Sequence, residues 1–324
     1  MTVGGLAIYK GVSSIEKVNK ILIPVLSGIV ILSVLRAVSL PGSFEGITYL
    51  FTPDWSQLKR PGIWVDALAQ NAFDTGAGFG LFLTYAIYIR KRYGVVKNAF
   101  TTAIGNNIVS LMAAIMIFST VFSILGNEMG MNKSEILEIM KTSGPAATGL
   151  TFIWMPQLFA KMALGKPLAI LFFLGLSFAG FSSLISMLEL AVRNLIDFGV
   201  KRSSAVMWIV GASFIMGIPS AMSLEILGDQ DFVWSVGLII SGVLMAIAAI
   251  KYGLSRMIDE VTVESQGDWA FPRLWPITIK FIAPFVGIVL VGWWMIESPS
   301  FFLTCLVQWG LVLVIFFLIN DYMN

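Results

Sequence analysis

Uncharged stretches long enough to cross a bilayer recur along this 324-residue chain, and they limit what it can fold into. The hydrocarbon core is about 30 Å thick and a helix rises about 1.5 Å per residue, so a span needs about 20 mostly apolar residues. Uncharged runs lie between Lys20 and Arg36, Asp74 and Arg90, Lys97 and Glu128, Lys166 and Glu189, Arg202 and Glu225, Asp231 and Lys251, Lys280 and Glu297, and Glu297 and Asp321. They predict an all-α polytopic membrane protein with eight transmembrane helices, the second extending back through Trp64 to include Asp74. Charged residues make up 12% of the chain, about half the share in a soluble domain. The sequence has no histidine, which removes imidazole bases and His-ligated metals, and its one cysteine, Cys305, allows no internal disulfide. A scattered net charge of +2 offers nucleic acid no basic face.

Orientation follows from the basic residues. With the start inside, the cytoplasmic side receives Lys10, Lys17, Lys20, Arg90, Lys91, Arg92, Lys97, Arg193, Lys201, Arg202, Lys251, Arg256, Arg273 and Lys280, 14 of the 21. If residues 142–160 also crossed, the inside would hold only 9, so the positive-inside rule favours eight spans. Pro145 and Pro156 interrupt that stretch, which is expected to fold with the helix predicted by Ile136, Leu137 and Met140 as an extracellular lid over about residues 130–165. Residues 1–20 are read as the stub of a preceding helix and a cytoplasmic loop, and residues 21–324 as the transmembrane domain.

Three places resist a plain lipid-packing explanation. In Gln70–Gly80, QNAFDTGAGFG, the alternating Gly76, Gly78 and Gly80 each weaken a helix by about 1 kcal/mol relative to alanine, which predicts a broken helix at mid-membrane. Irregular backbone there survives only inside protein or beside a watery cavity, where its carbonyls and amides can serve a solute or ion. Close glycine-mediated packing is the plain alternative, but its glycines fall four apart. Asp74 is the second: a carboxylate at that depth costs roughly 2.5–3.5 kcal/mol on insertion scales and needs a partner. Asn106, Asn107 and Ser110 in the next span supply hard oxygen ligands, although such residues also serve as helix–helix glue. The third is Ala179-Gly180-Phe181-Ser182-Ser183, whose hydroxyls and carbonyls suit a small cation or bond back to their own helix.

With GIWVDALAQNAFDTGAGFGLFLTYAIYIRK (62–91), TTAIGNN (101–107), GLTFIWMPQLFAKM (149–162) and SFAGFSSLISMLELAVRNLIDFG (177–199), the sequence resembles the neurotransmitter:sodium symporter family, which has the fold of the bacterial leucine transporter. The resemblance runs nearly end to end. It implies that the eight spans correspond to helices five to twelve of twelve, the C-terminal two-thirds of an inverted-repeat fold. By the same resemblance Phe73, Gly76, Phe79, Ser183 and Met187 line the substrate pocket. Asp74 and Asn106 match the first sodium site, and Ala179, Ser182 and Ser183 half of the second. Gln70, Asp74, Asn106 and Ser110 match the chloride-site positions of chloride-requiring relatives. Asp231 matches the extracellular gate, and Asp197 with Tyr88 the intracellular gate; the family's arginine partners for both aspartates lie outside this chain.

The resemblance implies sodium-coupled symport of an amino acid or related small zwitterion by alternating access in the plasma membrane, with no enzymatic step and no cofactor beyond the coupling Na⁺. The partners are then the solute, Na⁺ and the bilayer, with no nucleic acid; association of copies of the chain is compatible with this. The isolated chain, lacking the first four helices, is expected to be incapable of coupled transport. The competing expectations are a non-transporting membrane scaffold or accessory subunit, or another inverted-repeat carrier of the amino-acid/polyamine kind.

Overall fold

The computed structural model describes residues 2–9, 12–87, 94–141, 149–161, 164–264, 268–297 and 299–323. Long apolar runs without glycine clusters become single helices, and the clusters and prolines divide the rest. In chain order the helices are α1 (Thr2–Tyr9), α2 (Val12–Val38), α3 (Ser43–Leu50), α4 (Pro61–Thr75), α5 (Leu81–Ala86), α6 (Val95–Val121) and α7 (Lys133–Lys141). They continue as α8 (Met155–Lys161), α9 (Gly165–Asp197), α10 (Arg202–Met222), α11 (Leu224–Tyr252), α12 (Leu254–Glu264), α13 (Trp275–Ile277), α14 (Ala283–Glu297) and α15 (Pro299–Met323). Wider π-helical turns extend α6 through Phe122–Glu128 and join α13 to α14 through Thr278–Ile282.

Among the described residues, six helices are long and apolar enough to cross a membrane: Ile15–Val38, Val95–Glu128, Gly165–Asp197, Arg202–Met222, Leu224–Tyr252 and Trp275–Ile296. The other two of the eight runs read from the sequence are the second, which is divided between α4 and α5, and the last, which forms α15 and includes the apolar stretch Leu303–Ile315.

The chain forms two units. The first comprises Met1–Pro53 and Asn107–Gly228. Its α9 packs against α1, α2, α8 and α10, burying Gly175, Ile185, Leu188 and Val192. A second cluster joins Leu40, Phe122, Ile124, Leu125, Ile136, Met155 and Phe159, which seats α7 on the end of the α6 extension. Phe214, Ile215, Met216 and Met222 of α10 are 61–82% exposed, a surface suited to hydrocarbon rather than water.

The second unit comprises Asp54–Asn106 and Asp229–Asn324. Val65 and Ala69 of α4 meet Val233, Val236 and Ile239 of α11, Val291 and Trp294 of α14 and Cys305 of α15. Lipid tails are as apolar as these side chains, so close van der Waals fit rather than water exclusion holds such a core together. The boundary between the units falls within α6, between Asn106 and Asn107.

Candidate functional site

Pro61 starts α4 at a position that needs no backbone donor, and the helix runs to Thr75 before the glycines end it. Gly76 at φ 72° and Gly78 at φ 82° occupy the left-handed region that a side chain disfavours, and α5 resumes only at Leu81. The last turn of α4 leaves carbonyls without helical partners. Phe73 O accepts the Gly76 amide at 3.4 Å, Asn71 O accepts the Thr75 hydroxyl at 2.7 Å, and the Asp74 carbonyl accepts the side-chain amide of Asn106. Gln70 donates to the Asp74 carboxylate at 3.0 Å. Thus Gln70, Asp74 and Asn106, three positions singled out from sequence, converge at the break.

Across the break Phe73 and Phe79 meet edge to face, 5.3 Å between centroids. Ser241 of α11 donates its hydroxyl to the Gly78 carbonyl at 2.6 Å, fixing the bend from behind. A cavity of about 570 Å³ opens beside it, lined by Phe73, Phe79, Trp234, Leu238 and Trp309 among others. Such a volume and apolar lining suit a small molecule. Gly78→Ala is expected to lower thermal stability by roughly 2 kcal/mol, because a left-handed alanine is strained and its Cβ would lie 2.5 Å from the Leu238 carbonyl. Melting the variant in detergent checks this; an unchanged midpoint contradicts the tight bend.

The α9 candidates belong to the first unit. The Ser182 hydroxyl donates to the Ala179 carbonyl at 2.8 Å, so two oxygens of one candidate ion site are adjacent. Ser183 and Met187, one turn apart, are both exposed, while the opposite face of α9 carries the buried residues. Ser110 also lies in the first unit, on the far side of the boundary from Asn106.

A family model described as the sodium:neurotransmitter symporter family matches residues 1–323. The chain belongs to that family. It is 34% identical over 240 residues to an uncharacterized sodium-dependent transporter of Methanocaldococcus jannaschii, covering 74% of this chain and 46% of that protein. It is 32% identical over 290 residues to the sodium-dependent serotonin transporter of Drosophila melanogaster, covering 86% of this chain and 44% of that one. Among solved structures, the crystal structure of MhsT in complex with L-phenylalanine superposes with a TM-score of 0.75 at 30% identity, covering 90% of this chain and 65% of MhsT. The chain therefore spans about half to two-thirds of the length of these relatives. The two sodium-dependent relatives are transporters rather than enzymes, and the apolar helices make this symporter-family chain a multi-pass integral membrane protein.

The positions matched by resemblance to the family's gates fall out unevenly. Tyr88 lies outside the described residues. Asp197 pairs with Arg193, 2.6 Å away on its own helix, and the exposed Asp231 accepts the Ser235 hydroxyl on its main-chain oxygen. Sequence reading missed a stronger feature. The wholly buried Glu189 of α9 takes both guanidinium nitrogens of Arg202 at 3.0 and 2.6 Å, and Arg202 also donates to the Ile8 carbonyl of α1 at 2.7 Å. Two planar ends meeting through two hydrogen bonds form a strong pair, which here ties α1, α9 and α10 together. The only sequence signal was that these charges bound two apolar runs.

Proposed function

We propose that this chain carries part of a sodium-coupled symporter for an amino acid or related small zwitterion, working by alternating access. The observation that carries the reading is the convergence of the Asp74 carbonyl, the Asp74 carboxylate and the Asn106 amide at the broken helix. Turning the Asn106 amide end for end would place its oxygen beside the Asp74 carbonyl, two like dipoles that repel unless a cation lies between them. Sodium would supply that cation, and potassium, being larger, would fit it less well. Oxygen donors alone suit a hard cation.

Asp74 would then supply the fixed negative charge that chloride supplies in chloride-requiring relatives; holding a substrate amine is the rival role. By the family resemblance Phe73, Gly76 and Phe79 would serve the solute, as would Ser183 and Met187, and Ala179, Ser182 and Ser183 would supply half of a second sodium site. Asp231, Asp197 and Tyr88 would serve the gates. Support for an amino-acid solute comes from the L-phenylalanine named with MhsT, and for sodium from the relatives' description as sodium-dependent.

The test is a thermal-shift screen of the purified protein against twenty amino acids in sodium and in potassium. A rise with an apolar amino acid that requires sodium is expected. Equal melting in both salts with every amino acid would remove the reading.

A further inference from the structure

Helix α6 carries Asn106, yet its own sequence cannot cap it. An N-cap side chain normally accepts the amides two and three residues further on. Gly94 stands at that position, its carbonyl accepting the Asn98 amide at 3.3 Å, and it has no side chain to offer. The acceptor comes from 172 residues away. Asp268 takes the Val96 amide at 2.8 Å on Oδ2 and the Lys97 amide at 3.0 Å on Oδ1, while the Trp269 amide closes on Oδ1 at 2.7 Å. A Cβ at Gly94 would collide with Asp268 Oδ1, so the carboxylate lies where a local cap would lie. Burial pushes this carboxyl up, but the amides of Lys97, Val96, Trp269 and Val95 outweigh it and hold it below the usual carboxylate range. Next to it, the Trp269 ring lies 6.3 Å from that of Phe100, one turn further into α6.

We infer that Asp268 is a positioning residue: residues 268–275, leading into α13 and α14, form a strap that caps α6 from outside and seats it so that Asn106 meets the Asp74 carbonyl. The contact lies about 15 Å along α6 from Asn106, ten residues at about 1.5 Å each. A rigid helix transmits an error in its seating over that distance. The positioning half rests on the sodium reading above, whereas the capping half does not.

Three forms of the full chain test it: wild type, Asp268→Ala, and the exchanged pair Gly94→Asp with Asp268→Gly, which caps α6 locally but cuts the strap. Hydrogen exchange reads the cap, and the sodium concentration for half-maximal thermal stabilisation reads the seating. Asp268→Ala is expected to speed exchange at residues 95–98 roughly tenfold and to raise the sodium midpoint at least about threefold. The exchanged pair is expected to restore protection at 95–98 while leaving the sodium midpoint raised. Unchanged exchange in Asp268→Ala overturns the cap. An unchanged sodium midpoint in Asp268→Ala, or a midpoint restored in the exchanged pair, overturns the positioning role. Wild type that ignores sodium defeats the proposed function and the positioning role with it, and exchange alone then decides the cap.

Discussion

Asp74→Ser is expected to make the sodium response depend on chloride and, without chloride, to weaken apparent sodium affinity by tenfold or more. Two unit charges 4 Å apart at an effective dielectric of 20 attract by about 4 kcal/mol. Asp74 is only half-buried, so water screens part of that, and a tenfold change needs only about 1.4 kcal/mol. The main-chain carbonyl stays in place in the variant, and the introduced serine would offer the small hydroxyl found at chloride-binding positions. Sodium titrations of thermal stability with chloride, then with gluconate, supply the measurement. Equal midpoints for wild type and Asp74→Ser in gluconate would show that the carboxylate is not the fixed charge.

The second large effect lies at the buried pair. Arg202→Ala should lower stability by about 3–5 kcal/mol, the range for leaving a buried charge without its partner, since Glu189 has no exposed surface and Arg202 is 27% exposed at its side chain. The same change releases the Ile8 carbonyl, so α1 should lose its hold on α9 and α10 and become the first segment cut by protease. Glu189→Gln with Arg202→Met removes both charges and should recover most of the loss, because the desolvation of both ions goes with their attraction. Denaturation in mixed detergent compares the three. An Arg202→Ala protein as stable as wild type would mean that the pair is solvated and contributes little.

How much could be read in advance depended on whether the signal was local. The break was legible because Gly76, Gly78 and Gly80 alternate within eleven residues, and Asp74 was legible because a carboxylate inside an apolar run has no ordinary reason to be there. That Asp74 and Asn106 belong to one site drew on family resemblance, whereas the bond from Asn106 to the Asp74 carbonyl was not legible, since neither residue alone indicates a main-chain partner. Glu189 and Arg202 look in the sequence like span boundaries: each stands at the end of an uncharged run, and nothing nearby says that one sits at 0% exposure. Asp268 was harder still. Its partners on α6 lie 172 and 171 residues back, and its one clue was a helix that begins on glycine without a cap of its own.

Sodium must engage the interrupted helix for the residues gathered there to act as proposed. Hydrogen exchange of the purified chain in sodium and in potassium at equal ionic strength asks this directly. Sodium should slow exchange across residues 72–80 and 104–108, with the effect lost in Asn106→Ala, while residues remote from them, such as those of α12, exchange alike in both salts. Identical exchange at 72–80 and 104–108 in the two salts would contradict it.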